Sequence, residues 1–320
     1  MTSILTITLN PSVDFFSEAE LVRPVRKIRT LNERRDPGGG GINVARIVTA
    51  LGGQAEAVFL AGGATGMLLD TLLGREGIPR RPLPVAADTR IAFTVFERSS
   101  GLDYRFVPTG FAVREEELRP CLDAVEAHRG GYVVASGSLP QGAPPDILAR
   151  MADIAAARGA RFVLDSSGEG LRVTLEKSRV FLVKPSIGEL EQLVGRKLDE
   201  DGMQAAAAEL VSRGAAEIVA VTMGAEGAFL ATASGTLRVA APRVTVRSAV
   251  GAGDSFVGAM VWALAHDWAL EGAFRLGIAA GAAAVTTPGT QLCSGEDIRN
   301  LYPMAGGRPT DARAGTDDRG

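Results

Sequence analysis

A chain of 320 residues with 46% apolar and 22% charged residues has the balance of a folded soluble protein, which excludes disordered and fibrous classes. A net charge of −3 gives no basic surface for nucleic acid or an anionic membrane. The two cysteines, Cys121 and Cys293, match no metal or redox spacing, while 39 glycines against 5% aromatics point to many tight turns and close backbone approaches.

In chain order, ILTITL (4–9), with no basic segment or cleavage site, reads as a first strand rather than a signal peptide. Further strands are expected at 56–61, 132–136, 161–166, 181–185 and 218–222, from short apolar or alternating runs. Helical patterns fall between them near 42–51, 65–75, 114–128, 145–158, 187–194 and 203–213. That alternation predicts a doubly wound parallel sheet, an α/β/α sandwich. Two segments break the rhythm: 14–35 is charged and weakly periodic, and RIAFTVFERSSGLDYRFV (90–107) is two alternating runs around a turn. Together they predict a small β-sheet lid over the site. The apolar helices expected around 256–265 and 276–285 are too short and too rich in small residues to span a bilayer. From Met304 to the end the chain has little to bury, so one domain is expected over 1–303 and a disordered tail over 304–320.

The sequence has no GxSxG, HExxH or GxxxxGK[ST], which disfavours serine hydrolases, zinc peptidases and P-loop NTPases. Nor does any strand lead into GxGxxG with an acidic residue about 20 positions on, as a nicotinamide enzyme requires. His128 and His266 fall near helix ends, where a cation has a structural explanation. Three glycine clusters remain: PGGGGINVARIVTALGG (37–53), AGGATG (61–66) and AVGAGDS (249–255). Each opens a helix, where free N–H groups attract anions, so a phosphate-bearing or polyol ligand is expected. Asp254, directly after the third cluster, is by itself either a helix cap or a catalytic carboxylate. Asp14, Lys184, Glu189, Thr222 and Gly224 follow strand ends, at the sheet edge where α/β folds bind ligands. Lys27, Arg90 and Arg105 lie in or beside the lid segments, where they can grip a phosphate, and Arg29 reads as a solvated charge. Phe15 and Phe16 are expected to seal the lid.

The motifs GGGGINVAR, SGSLP, DSSGE, KPxxxEL, TMGAEGA and VGAGDSFVGA, in that order from about residue 4 to 302, resemble the ribokinase-type (phosphofructokinase B) carbohydrate kinases. Gly40, where the similar 1-phosphofructokinases and tagatose-6-phosphate kinases commonly carry lysine, and GTQLCS (289–294) resemble the minor-isozyme branch of the bacterial 6-phosphofructokinases. The resemblance implies a ribokinase-like sandwich in which Asp254 is the general base and Gly251, Ala252 and Gly253 form a backbone anion hole. It assigns Asp14, Gly39 and Asn43 to sugar hydroxyls, and Lys27, Arg90, Arg105 and Ser138 to the sugar phosphate and lid. It places Lys184, Glu189, Thr222, Gly224 and Gly227 on the nucleotide and magnesium side. Ser248, Val250, Ala284, Thr287, Gly289 and Gln291 correspond to a monovalent-cation site, usually potassium.

The implied reaction is transfer of the ATP γ-phosphoryl group to the 1-hydroxyl of fructose 6-phosphate, with tagatose 6-phosphate or fructose 1-phosphate as alternative acceptors and magnesium as cofactor. A cytoplasmic protein, dimeric through its lid, with no nucleic-acid or membrane partner, is expected. One departure stands out: the family's NxxE motif has Ser186 in place of the asparagine. Serine lacks the amide's paired donor and acceptor, so weaker or differently ordered magnesium is expected, and a non-catalytic sugar-phosphate sensor is the rival of another class.

Overall fold

Alternation along the first strand sets the layers. β1 (Ile4–Thr8) buries every side chain, yet Ile4 joins one core while Leu5 and Ile7 join another, because successive side chains point to opposite faces. A strand buried on both faces must lie centrally in a sheet covered by helices on both sides. The computed structural model, which describes residues 2–308 and 311, has that arrangement.

After β1 come β2 (Ser12–Ala19), β3 (Leu31–Gly38), α1 (Gly40–Ala50), β4 (Glu56–Ala61), α2 (Gly63–Arg75), β5 (Arg80–Pro84), β6 (Arg90–Glu97) and β7 (Leu102–Phe106). The middle of the chain supplies α3 (Glu115–Ala127), β8 (Tyr132–Ser136), α4 (Ile147–Ala157), β9 (Arg161–Asp165), α5 (Gly168–Lys177), β10 (Val180–Val183), α6 (Ile187–Val194) and α7 (Glu200–Ser212). The remainder is β11 (Ala216–Thr222), β12 (Ala228–Thr232), β13 (Gly235–Val239), α8 (Ala252–Ala265), α9 (Leu270–Ala284) and α10 (Gly295–Leu301).

The main sheet runs β13-β12-β11-β10-β9-β8-β1-β4-β5. Seven of its strands are parallel, as expected, but β12 and β13 close one edge as an antiparallel hairpin. β13 and β5 escape the sequence reading because both are edge strands with mostly exposed side chains, and β5 carries Pro82 and Pro84, which an edge position tolerates; β12, though buried, has no α-helix on either side to set it off in the strand–helix rhythm. Helices α1, α2, α8 and α9 cover one face and α3, α4, α5 and α7 the other. α8 packs between α1 and α9, which explains why it is apolar almost all round.

The second sheet, β3-β2-β6-β7, is formed by the two segments expected to make a small β-sheet, with β2 and β6 parallel from Ser12↔Arg90 to Ala19↔Glu97. It begins and ends slightly outside 14–35, because β2 follows β1 after only three residues and β3 runs directly into the glycines of α1. Phe93, Leu102 and Phe106 on it are exposed. Past residue 303 the chain is not immediately featureless: Pro303–Ala305 is a 3-10 turn with Ala305 buried, and Asp311 accepts a hydrogen bond from Tyr302 Oη. Most of the expected tail, 309, 310 and 312–320, lies outside the described residues. Both cysteines are buried free thiols, and His266 Nδ1 lies 2.7 Å from the Trp262 carbonyl on its own helix.

Candidate active site

The period-2 rule that separates the two cores also builds the site. Val134, Val163, Leu182 and Ala220 all belong to the core under α1 and α8, so the residues two further along, Ser136, Asp165, Lys184 and Thr222, share that face. They stand side by side because the strands are parallel and in register, with Ser136 opposite Asp165. Across from them, α8 starts at Gly251, whose φ of +73° is a left-handed conformation that glycine adopts without strain. The first intrahelical bond there runs from Ser255 N to Gly251 O, so the N–H groups just before Ser255 have no helical partner and can hold an anion.

Asp254 is the meeting point. Its Oδ2 accepts a hydrogen bond from Asn43 Nδ2 at 2.9 Å, and its Oδ1 lies 3.2 Å from Ser136 Oγ. Ser136 Oγ is also 3.2 Å from Asp165 Oδ2; one hydroxyl proton serves only one of these carboxylates at a time. Burial pushes the Asp254 carboxyl up to about 6, and the neighbouring Asp165 charge adds to this, while Asn43, Lys184 and Ser136 act in the opposite direction. The sequence alternative of a mere cap is not supported, since no side chain caps α8 and the carboxylate is engaged across the site instead.

Lys184 Nζ pairs with Asp165 Oδ1 at 3.0 Å, with both side chains largely buried. Burial alone would lower the lysine pKa, but Asp165, with Glu189 and Asp254 beyond it, carries it upward, so the ammonium stays charged. Its Nζ would lie 3.3 Å from a β-carbon on Gly253, which puts a fixed positive charge beneath the start of α8. At the N-terminus of α1, Gly39 O accepts from Asn43 N at 2.9 Å. A β-carbon on Gly40 would stand 2.2 Å from Ser136 Oγ, so only glycine lets the helix approach β8 this closely.

On the lid side, Asp14 Oδ1 accepts from Ser12 Oγ at 2.6 Å. Burial raises the Asp14 pKa; the Ser12 hydroxyl lowers it, Asp36 raises it, and Arg90 and Arg105 lower it, so both guanidinium groups are felt at this carboxylate. Arg90 itself donates to Pro108 O at 2.7 Å and Asn10 O at 2.8 Å, with its buried Nε left unpartnered. Ser138 Oγ accepts from Asn10 Nδ2 at 3.2 Å, and the same amide donates to Thr109 O. Lys27 lies exposed in the β2–β3 connection, and no hydrogen bond or ion pair among the described residues ties it to these groups.

The nucleotide-side residues also gather. A cavity of about 440 Å³ is lined by Thr222, Gly224, Gly227, Ala252, Gly253 and Phe256, among mostly apolar neighbours. Thr222 N donates to Pro185 O, which joins the Lys184–Glu189 loop to this wall. Ser186 caps α6: Glu189 Oε2 accepts from Ser186 N at 2.7 Å and from its Oγ at 2.9 Å, a reciprocal capping box. One Glu189 oxygen is therefore committed locally, and among the described residues no group of three or more His, Cys, Asp or Glu gathers to hold a metal. The remaining oxygen suits magnesium only through its retained waters.

Around the third glycine cluster, Thr287 Oγ1 lies 2.7 Å from Ala284 O and 2.5 Å from Gln291 O, three oxygens sharing one proton. Ser248 Oγ accepts from Val250 N, and Ser248 N donates to Val285 O. Such a knot of carbonyl and hydroxyl oxygens fits a hard monovalent cation.

Sequence reasoning passed over Ser136, Asp165 and Asn10. The signal for the first two was present: each is the last residue of a strand with the parity of Lys184 and Thr222.

A buried carboxylate within one turn of free N–H groups, beside a fixed ammonium, is equipped to take a proton from a hydroxyl while an anion is held. The chain belongs to the PfkB family of carbohydrate kinases, whose family model, described as "pfkB family carbohydrate kinase", matches residues 4–297. It is 46% identical over 305 residues to the ATP-dependent 6-phosphofructokinase isozyme 2 of Mycobacterium tuberculosis, covering 94% of this chain and 89% of that one. The corresponding isozyme 2 of Escherichia coli K12 is 42% identical over 94% of this chain and 98% of its own. Among solved structures, phosphofructokinase-2 from Escherichia coli in complex with potassium superposes with a TM-score of 0.92 at 41% identity, covering 96% of this chain and all of that one.

Proposed function

We propose that this chain is an ATP-dependent 6-phosphofructokinase, which transfers the γ-phosphoryl group to the 1-hydroxyl of fructose 6-phosphate and releases ADP. The observation that carries the reading is Asp254, held by Asn43 and Ser136 at the start of α8, in a chain 42–46% identical to two isozyme 2 enzymes. Asp254 takes the hydroxyl proton as the bond to phosphorus forms, and the backbone of Gly251, Ala252 and Gly253 holds the transferring group. Asp14, Gly39 and Asn43 orient the sugar hydroxyls; Arg90, Arg105 and Ser138, joined by Lys27 on closure of the lid, hold the 6-phosphate. Lys184, Thr222, Gly224 and Gly227 serve the nucleotide. Glu189 would hold magnesium through water, where the ion would neutralise phosphate charge, and Ser248, Val250, Ala284, Thr287, Gly289 and Gln291 would hold potassium.

The exposed Phe93, Leu102 and Phe106 support a homodimer through the lid, since an apolar sheet with free edges is better covered than solvated. Sedimentation equilibrium is expected to show dimer at micromolar concentration. The described residues include no helix long and apolar enough to cross a membrane, and a glycolytic role places the enzyme in the cytoplasm.

A coupled assay of ADP release with MgATP and fructose 6-phosphate, potassium present, tests the reading. Robust turnover is expected, with a higher kcat/KM than for tagatose 6-phosphate or fructose 1-phosphate. A preference for either rival sugar would reassign the substrate. Binding of fructose 6-phosphate without turnover would make the protein a sensor.

A further inference from the structure

The lid and the oxygen knot at residues 284–291 are joined by contacts that neither sugar binding nor phosphoryl transfer explains. Arg34 on β3 donates from Nε to Asp36 Oδ2 at 2.8 Å, from Nη2 to Pro288 O at 3.1 Å and from Nη1 to Gln291 Oε1 at 3.4 Å. Its guanidinium lies 5.1 Å from the centre of the Phe16 ring, and that ring fills the space a β-carbon on Gly289 would need. Thr290 Oγ1 donates to the same Asp36 Oδ2, in a buried contact. Asp36 in turn pairs in register with Asp14 on β2. One continuous set of contacts therefore runs from the carboxylate beneath the lid, through Asp36 and Thr290, to the loop whose carbonyls gather at Thr287.

We propose that Arg34, Asp36 and Thr290 are positioning residues that couple the sugar-phosphate site to the monovalent-cation site, so that each ligand tightens binding of the other. The proposal rests on the reading of residues 284–291 as a cation site. The physical reason is that Asp36 Oδ2 holds both partners, Arg34 and Thr290, at once. A sugar phosphate that draws the lid onto the main sheet seats Asp36, which fixes Thr290 and with it the Gln291 carbonyl. A cation that fixes the Gln291 carbonyl presents Thr290 and the Pro288 carbonyl to the lid. Linkage requires the two effects to be equal in size, and couplings of this kind amount to about 5–150-fold.

The test uses the full chain without nucleotide. Thermal unfolding is followed against KCl at constant ionic strength, with and without saturating fructose 6-phosphate, and the Kd of fructose 6-phosphate is measured by calorimetry with and without KCl. In the parent protein, fructose 6-phosphate is expected to lower half-saturation by potassium about 5-fold or more, and potassium to lower the sugar Kd by the same factor. Thr290→Val, which keeps the shape and removes the hydroxyl, is expected to bring both factors toward 1; Arg34→Met provides the same readout should the valine variant fail to fold. Potassium stabilisation that is indifferent to sugar phosphate, or a coupling factor unchanged in a folded variant, would overturn the coupling while leaving the cation site standing. No effect of potassium on either measurement would remove the cation site and the coupling together.

Discussion

The corner around Asp254 and the lid that faces it are built on different principles. At the corner every charged group already has a partner by hydrogen bond or ion pair: Asn43 from α1 and Ser136 bond the Asp254 carboxylate, and Lys184 pairs with Asp165, with Ser136, Asp165 and Lys184 at or next to strand ends locked in register. On the lid, β6 and β7 carry Arg90 and Arg105 on a four-stranded sheet with exposed apolar side chains, and Lys27 lies in an exposed connection. The difference teaches where preorganisation matters. On the proposed function, the carboxylate that would take the proton is fixed before substrate arrives, whereas the arginines proposed to hold the phosphate stand on a separate sheet.

The hardest test of that contrast is Asp254→Asn. It is expected to lower kcat by about 10³–10⁴-fold while leaving fructose 6-phosphate binding largely intact, checked by the coupled assay and calorimetry. The same substitution should raise Tm. A carboxyl whose folded pKa lies above its ordinary value binds protons more tightly when folded, so stability falls as pH rises through the interval up to about 6, and at neutral pH the ionised group is a burden. Relief of roughly 1 kcal/mol would appear as a rise of about 2 °C.

On the lid, Arg105→Ala is expected to raise the KM for fructose 6-phosphate by about 10–100-fold with kcat and Tm little changed, the size of one or two charge-assisted hydrogen bonds. Arg90→Ala should do the same and lower Tm as well, because its guanidinium also braces the Pro108 and Asn10 carbonyls. Equal Tm for the two variants would show that Arg90 braces the Pro108 and Asn10 carbonyls no more than Arg105 does.

The pH profile probes the corner alone. Turnover should fall as pH drops through about 6, where Asp254 takes up a proton. Asn43→Ala, which removes a hydrogen bond that favours the ionised form, should move that limb upward. The smallest effect expected is from Ser186→Asn: asparagine caps a helix as well as serine does, so Tm should hold while half-saturation by magnesium falls by roughly 2- to 5-fold as Glu189 is released from the serine hydroxyl.

Much of this was legible in the sequence. Long apolar runs gave the central parallel strands, and glycine clusters marked the helix starts that line the site. The antiparallel edge was hidden because β13 is largely exposed and no α-helix separates β11, β12 and β13, so the strand–helix alternation that reveals the other strands is missing there. Asp165 and Ser136 end their strands with the parity of Lys184 and Thr222, so alternation already marked the face they share; which strands stand side by side depends on strand order, which no local pattern records. The bracing role of Asn10 depends on three loops that meet only in the folded chain.

The two buried cysteines have a practical consequence. Burial pushes the thiols of both Cys121 and Cys293 up to about 12, so at neutral pH neither offers a thiolate to an alkylating probe or to peroxide. The native chain is thus spectroscopically silent toward maleimide chemistry. A single cysteine placed at exposed Ser99, in the turn between β6 and β7, would give the chain one accessible thiol, and a dye there would test whether the sheet that carries it moves when sugar phosphate binds.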